Sequence, residues 1–380
     1  MIEQPTGTPV ETAQLGAAGT DPGSFATASQ WQLVRRRFRR HWLAQLSLWV
    51  LVAMYLAAIF SQFLSPHAPF EFNDALVAAP PMPIRFFEDG RLQRPFVYGY
   101  TRTVDLETML RFYEPDPDKK FVIRFLTRGP DYKLWNLFPT TLHLFGTDEG
   151  GYLHLLGTDR LGRDMVSRIL YGSRVSLSIG LVGVFISFIL GLVIGGISGL
   201  VGGLVDNIIQ RFIEILRSFP TIPVWMALAA ALPQDWPQMW VYFGITVILS
   251  LIGWTSLARV VRGKFLALRD DDYVVAARLA GAGNAWVIRK HLLPAFTSHI
   301  IASLTLSIPA MILAETALSF LGLGLKQPLI SWGVLLQEAQ NIRSVALMPW
   351  VFTPVLFIIV TVLAFNFVGD GLRDAADPYA

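Results

Sequence analysis

Long apolar runs separated by polar ones dominate the chain. Almost uncharged stretches fill residues 43–64, 175–201, 219–232, 239–258, 295–318 and 347–368. A hydrocarbon layer of about 30 Å takes roughly 20 helical residues at about 1.5 Å each. The pattern therefore predicts an all-α polytopic membrane protein with six transmembrane helices. The stretch at 219–232 is short and flanked by Pro. Within the second stretch Gly183, Ser187, Gly191, Gly195, Gly199 and Gly203 recur every fourth residue, which leaves one helix face almost bare and lets another helix approach closely, first of all inside the same subunit. Pro309 and Pro354 are expected to interrupt the fifth and sixth spans.

Charge sets the orientation. Arg35, Arg36, Arg37, Arg39 and Arg40 precede the first span, and the excess of Lys and Arg on the inner side of membranes places both termini in the cytoplasm, given six crossings. Arg259, Arg262, Lys264, Arg269, Arg278, Arg289 and Lys290 between the fourth and fifth spans fall on the same side, whereas residues 233–238 carry no Lys or Arg. The first thirty residues lack hydrophobic periodicity and are expected to be a disordered tail, part of a cytoplasmic segment at 1–42. Residues 371–380 form the other cytoplasmic end.

Residues 65–173 form a long external segment. Ile84 to Arg91 followed by Pro95 to Tyr100 predicts a hairpin turning at Asp89-Gly90, and Lys120 to Thr127 a further strand. Phe86, Phe87, Phe96, Tyr98, Tyr100, Phe112, Tyr113, Phe121, Phe125, Tyr132, Trp135 and Phe138 supply apolar surface for a small α+β cap between the first two spans. Gly162 suits a tight turn, and Asp164 suits the N-cap of the helix leading into the second span.

Composition agrees with a membrane location: 53% hydrophobic and 16% charged residues, with a mean hydropathy of +0.47. Thirty-one basic against 28 acidic residues give no argument for nucleic acid, and the lack of cysteine excludes disulfides and thiolate chemistry. Gly263-Lys264 is followed by Phe265 and lacks the upstream Gly of a phosphate loop, so this chain holds no nucleotide itself. Asp159, Asp164, His154 and Glu315 would be the acid–base groups of an intramembrane enzyme, but no nucleophile with an adjacent base accompanies them. Glu315, near the outer end of the fifth span, is expensive in lipid unless paired or solvated and stands as a structural or gating candidate.

Between the fourth and fifth spans, within the loop 259–294, lies Asp270-Asp271-Asp272-Tyr273-Val274-Val275-Ala276-Ala277-Arg278-Leu279-Ala280-Gly281. Its acidic start and terminal Gly predict a short surface helix of about two turns, and a second helical piece at 285–290 precedes His291-Leu292-Leu293-Pro294. Small Ala276 and Ala277 leave this helix slim enough for a cleft, and Arg278 can reach a partner's acceptor.

That loop, with Tyr273, Ala276, Ala277, Arg278, Gly281, His291 and Pro294 at their spacing, resembles the EAA loop of binding-protein-dependent ABC importer permeases, although Val275 stands where the family has Glu. Leu156 to Asp164, Tyr171 to Leu177, Gly202 to Asp206, Phe219-Pro220, Glu315 to Gly324, Ser331-Trp332-Gly333 and Asn366 to Asp374 are similar, in the same order, to the C-type subunits of dipeptide and oligopeptide permeases. The resemblance implies a MetI-like fold with a core at 174–370, in the bacterial inner membrane. It also implies a homologous second permease, two ATPase subunits carrying ATP and Mg, a periplasmic binding protein, and peptides, oligosaccharides, opines or metal chelates as cargo. Asp272 to Gly281, with His291 and Pro294, would then be the helix that couples to the ATPase, in a more hydrophobic seat because of Val275.

Overall fold

The computed structural model describes residues 30–376 apart from 89, 109, 136, 148–150 and 234. The expected tail thus lies, but for residue 30, outside the described residues, as do Asp89 of the predicted turn and residues 377–380. A short helix not expected from the pattern, α1 (Gln30–Phe38), carries Arg35, Arg36 and Arg37 in its last turn. It runs into α2 (Trp42–Ile59), which breaks at Phe60 before the single turn α3 (Ser61–Leu64).

Four strands follow, β1 (Arg85–Glu88), β2 (Arg91–Val104), β3 (Arg111–Leu134) and β4 (Phe138–Thr147), in an antiparallel sheet of order β1-β2-β3-β4. The hairpin and the strand at 120–127 are present, the latter as the middle of the 24-residue β3. Among the described residues between α3 and residue 164, the sheet is accompanied by one 3₁₀ turn, Asp74–Leu76. The aromatics do not all turn inward. Val97, Ile123, Met82 and Leu153 form the sheet's small core, Phe96 is buried beside Tyr98 and Lys120, and Phe86, Phe87, Phe112, Phe125 and Phe138 are exposed.

The helical part comprises α4 (Met165–Val201), α5 (Gly203–Ser218), α6 (Thr221–Ala230), α7 (Gln238–Leu268), α8 (Asp272–Leu279), α9 (Asn284–Val287), α10 (Leu293–Phe320), α11 (Trp332–Leu336), α12 (Ile342–Leu347) and α13 (Thr353–Ala376). Among the described residues five helices are long and apolar enough to cross a membrane; α5 and α6, bent by 86°, make a sixth only if read as one broken span. The straight span expected at 219–232 is therefore a helix of ten residues, about 15 Å long, after the bend at Phe219-Pro220. Helix α4 starts directly after the expected cap Asp164, ten residues before the apolar run, with Arg168 buried in ion pairs. Charge hid the true length of α7, which continues to Leu268 through Arg259, Arg262 and Lys264. Pro354 sits in the first turn of α13, where its missing N–H costs nothing, rather than interrupting it. In α10 the backbone leaves helical geometry at Phe296, not at Pro309.

Helix α4 is the axis of the bundle. Its small-residue face lies on α7: a Cβ on Gly195 would strike the Ala258 backbone, one on Gly199 would meet Arg262 Cα at 3.2 Å, and one on Gly191 would meet Leu257 Cβ at 2.9 Å. The hydroxyls join in, with Ser250 Oγ donating to Gly183 O at 3.0 Å. The expected packing inside one subunit is thus observed, except that Gly203 falls past the break and faces open space.

Candidate functional site

The loop between α7 and α10 folds into a compact head. Helix α8 spans two turns as expected and ends in a double reverse bond, Ala282 N–H to Ala277 O at 3.0 Å and Gly281 N–H to Arg278 O at 2.9 Å. That geometry requires a left-handed residue, and Gly281 supplies it at φ +88°. Asp271 occupies the N-cap position, but its side chain makes no capping bond, so the expected carboxylate cap is corrected; Asp272 lies in the first turn. The second helical piece is α9 plus a π turn, Ile288–Leu292, that delivers His291 and Leu292 into the start of α10. Pro294 is in the first turn of α10 and exposed.

One residue seats the helix. Val274 is fully buried in a cluster with Leu257, Val261, Phe265, Val287, Leu292, Phe296 and Ile300, so α8 is clamped to the ends of α7 and α10. Ala277 is half-buried and packs on the same cluster, while Ala276 is exposed. Tyr273, Val275, Ala276, Arg278 and Leu279 point outward, Leu279 being 84% exposed, and Trp286 of α9 stands beside them. His291 lies between rings, 5.7 Å from Tyr273 and 5.1 Å from Trp286. The result is a knob clamped to two long helices, its outer face formed by Tyr273, Val275, Ala276 and Leu279 with Arg278 among them.

A carboxylate braces the same end of the bundle. Asp206 of α5 accepts from Arg262 Nε and Nη2, both at 2.5 Å, and from Ser198 Oγ, to which Gln210 Nε2 donates at 3.0 Å. Arg262, read from the sequence as a loop charge, is thus a tie between α5 and α7.

At the opposite end Glu315 of α10 is completely buried. Its Oε1 accepts from Ser331 Oγ at 2.7 Å and Ser319 Oγ at 2.8 Å, and its Oε2 from Ser176 Oγ at 3.4 Å. Each of these hydroxyls also accepts a backbone N–H: Val334 at 3.1 Å, Leu325 at 3.0 Å and Trp332 at 3.0 Å. Glu315 therefore ties the segment 319–336 to α4 and α10. Ser319, four residues on, was legible as a helical neighbour; Ser176 and Ser331 are remote in sequence and carried no such signal.

Beside it lies an ion-pair cluster. Asp159 is buried and accepts from the Leu161 and Arg163 backbones, from Arg163 Nε at 2.6 Å and from Arg168 Nη1. Glu338 Oε1 is 3.5 Å from Arg168 Nη1, and burial together with Asp159 holds the Glu338 carboxyl above the ordinary carboxylate range. Gly162, at φ +74°, and Asp164, which accepts from Ser167 N at 2.7 Å, play the turn and capping roles expected of them. His154 is fully buried, with Nδ1 3.0 Å from Tyr152 O and no hydrogen-bond partner for Nε2 among the described residues. Asp159, Asp164, His154 and Glu315 are thus spread over separate structural contacts.

The family model described as binding-protein-dependent transport system inner membrane component matches residues 191–379, and that described as the N-terminal TM domain of oligopeptide transport permease C matches residues 29–81. The oligopeptide transport system permease protein OppC of Haemophilus influenzae is 38% identical over 262 residues, covering 68% of this chain and 81% of its own. The dipeptide transport system permease protein DppC of Bacillus subtilis is 41% identical over 227 residues, covering 59% and 68%. A solved inward-facing form of the MetNI methionine ABC transporter superposes with a TM-score of 0.44 at 19% identity, covering 56% of this chain and 97% of that one.

Proposed function

The chain belongs to the family of binding-protein-dependent transport system inner membrane components and is a permease subunit of an ABC importer, and on that premise we infer that α8 is the element through which separate ATPases drive it. The observation that carries this is the seating of α8: Val274 fixes it to two long helices while Tyr273, Val275, Ala276, Arg278 and Leu279 are left on its outward face. A knob joined rigidly to α7 and α10 transmits displacement, whereas a loose loop would absorb it. Converting a 1:99 equilibrium of two permease states into 99:1 takes about 5.5 kcal/mol of differential interaction, which a firmly held contact can deliver.

In this reading the α8 end faces the cytoplasm and the sheet faces the binding protein, with both chain termini on the cytoplasmic side of a bacterial inner membrane. A homologous permease completes the passage, two ATPase subunits supply ATP and Mg, and peptides, the cargo for which the oligopeptide and dipeptide permeases are named, are the solute. Val275 makes the ATPase seat more apolar than a Glu would. Glu315 holds the segment 319–336 at the outer mouth through its three serines. The test uses the assembled importer in proteoliposomes. Ala276→Glu is expected to abolish ATP-driven peptide uptake while binding-protein-independent ATP hydrolysis persists; uptake at the unmodified rate would refute the assignment.

A further inference from the structure

We propose that the tip of the β3–β4 hairpin is immersed in the outer-leaflet interface of the bilayer, beside the end of the first span. Trp135 fastens the tip to that end. Trp135 Nε1 donates to the Ile59 carbonyl at 3.0 Å, its backbone N–H donates to Gln62 Oε1 at 2.9 Å, and its ring lies 5.5 Å from that of Phe60. Ile59 is the last residue of an 18-residue apolar helix, so the tip lies at the level where the chain leaves the hydrocarbon.

Three features fit lipid as the occupant. Helix α2 exposes Trp42, Leu46, Trp49, Val52, Leu56 and Ile59, a stripe at spacings of three and four that runs to its outer end, where Trp135 continues it. Beyond it Leu137 and Phe138 are 72% and 59% exposed, an apolar pair that water would not favour. The backbone around them is already served: Leu137 N–H donates to Leu134 O at 3.0 Å, and Leu134 pairs with Phe138 in the ladder. The Trp135 and Leu137 N–H groups thus need no acceptor from their surroundings, as a medium without acceptors requires. Exposed Lys133, next along β3, is placed to meet lipid phosphate, and an indole at this depth is the usual interfacial anchor.

The inference deepens the proposed function by stating how the sheet is held at the mouth, and it rests on that reading for the side of the membrane. The test exploits a chain without cysteine. Phe138→Cys, with Leu137→Cys as a second site and Leu106→Cys in the far turn as a reference, is spin-labelled in the assembled importer in phosphatidylglycerol and phosphatidylethanolamine liposomes. The ratio of oxygen to water-soluble nickel-chelate accessibility is expected to be several-fold higher at 138 and 137 than at 106. A ratio equal to that at 106 overturns the proposal, as does shielding from both reagents, which would mean a sister protein covers the tip. Labelling of Leu106→Cys by an impermeant maleimide in intact cells supports the outer-leaflet placement. Labelling only after permeabilisation moves the sheet to the other side and refutes that placement, whatever the depth result.

Discussion

Burying Glu315 would be costly without its three hydroxyls, because a carboxylate taken out of water has to regain its hydrogen bonds. Each serine is committed in both directions, accepting a backbone N–H and donating to Glu315. Glu315→Gln puts an amide donor against these donors and should destabilise the chain by about 1–3 kcal/mol, seen as a lower thermal midpoint of the purified protein. An unchanged midpoint would contradict the bonding described. His154 makes a different prediction. Burial pushes its imidazole down to about 4, and protonation would give Nε2 a hydrogen with nowhere to donate it. An unfolded His titrates near 6.5, so the unfolded chain takes up the proton first and stability falls as pH drops from about 6.5 towards 4. At pH 5 the loss is about 2 kcal/mol, to be read as faster amide exchange in 152–157 and β2. His154→Gln should remove that pH dependence.

Among the elements, the contact of α4 with α7 depends on backbone meeting backbone. Gly195 faces the Ala258 main chain, which cannot rotate aside as a side chain would. Gly195→Leu should therefore cost about 1–3 kcal/mol or more through overpacking, whereas Gly203→Ala, with open space around it, tests only the positive φ of +57° at the helix break. Denaturation of the two variants in mild detergent separates the effects. The loop helix divides in the same manner. Val274→Ala removes buried methyl groups and should lower stability by roughly 1–3 kcal/mol, while Ala276→Glu leaves stability alone and strikes only the outer face. Equal thermal losses from the two would show that α8 has no distinct inner and outer faces.

For the whole molecule, periodicity and length made the long helices legible, because an apolar run of about 20 residues has few other uses. Their ends were not legible where charge is neutralised by remote partners. Asp164 signalled where α4 begins, but the partners Asp159 and Glu338 that bury its Arg168 were not readable, and Arg262 of α7 is matched by Asp206 across from it. The 86° break between α5 and α6 was signalled by Phe219-Pro220, yet composition could not tell a bend from a boundary. The hairpin at 84–100 was readable from the Asp89-Gly90 pair, whereas the fate of the aromatics was not: Phe96 is buried and Phe125 exposed according to sheet register. In the loop head, Gly281 and the two-turn length were readable locally. The inward turn of Val274, which sorts the alanines into an outer and an inner one, depends on residues of α7, α9 and α10.

The decisive contact is the one made by the outer face of α8. Ala276→Cys is the sole thiol in this chain, and it can be fitted with a short photo-cross-linker in the assembled importer. An adduct with an ATPase subunit, formed at the same place in resting and ATP-bound states, is the predicted result. Adducts formed only with the binding protein or with lipid would contradict it.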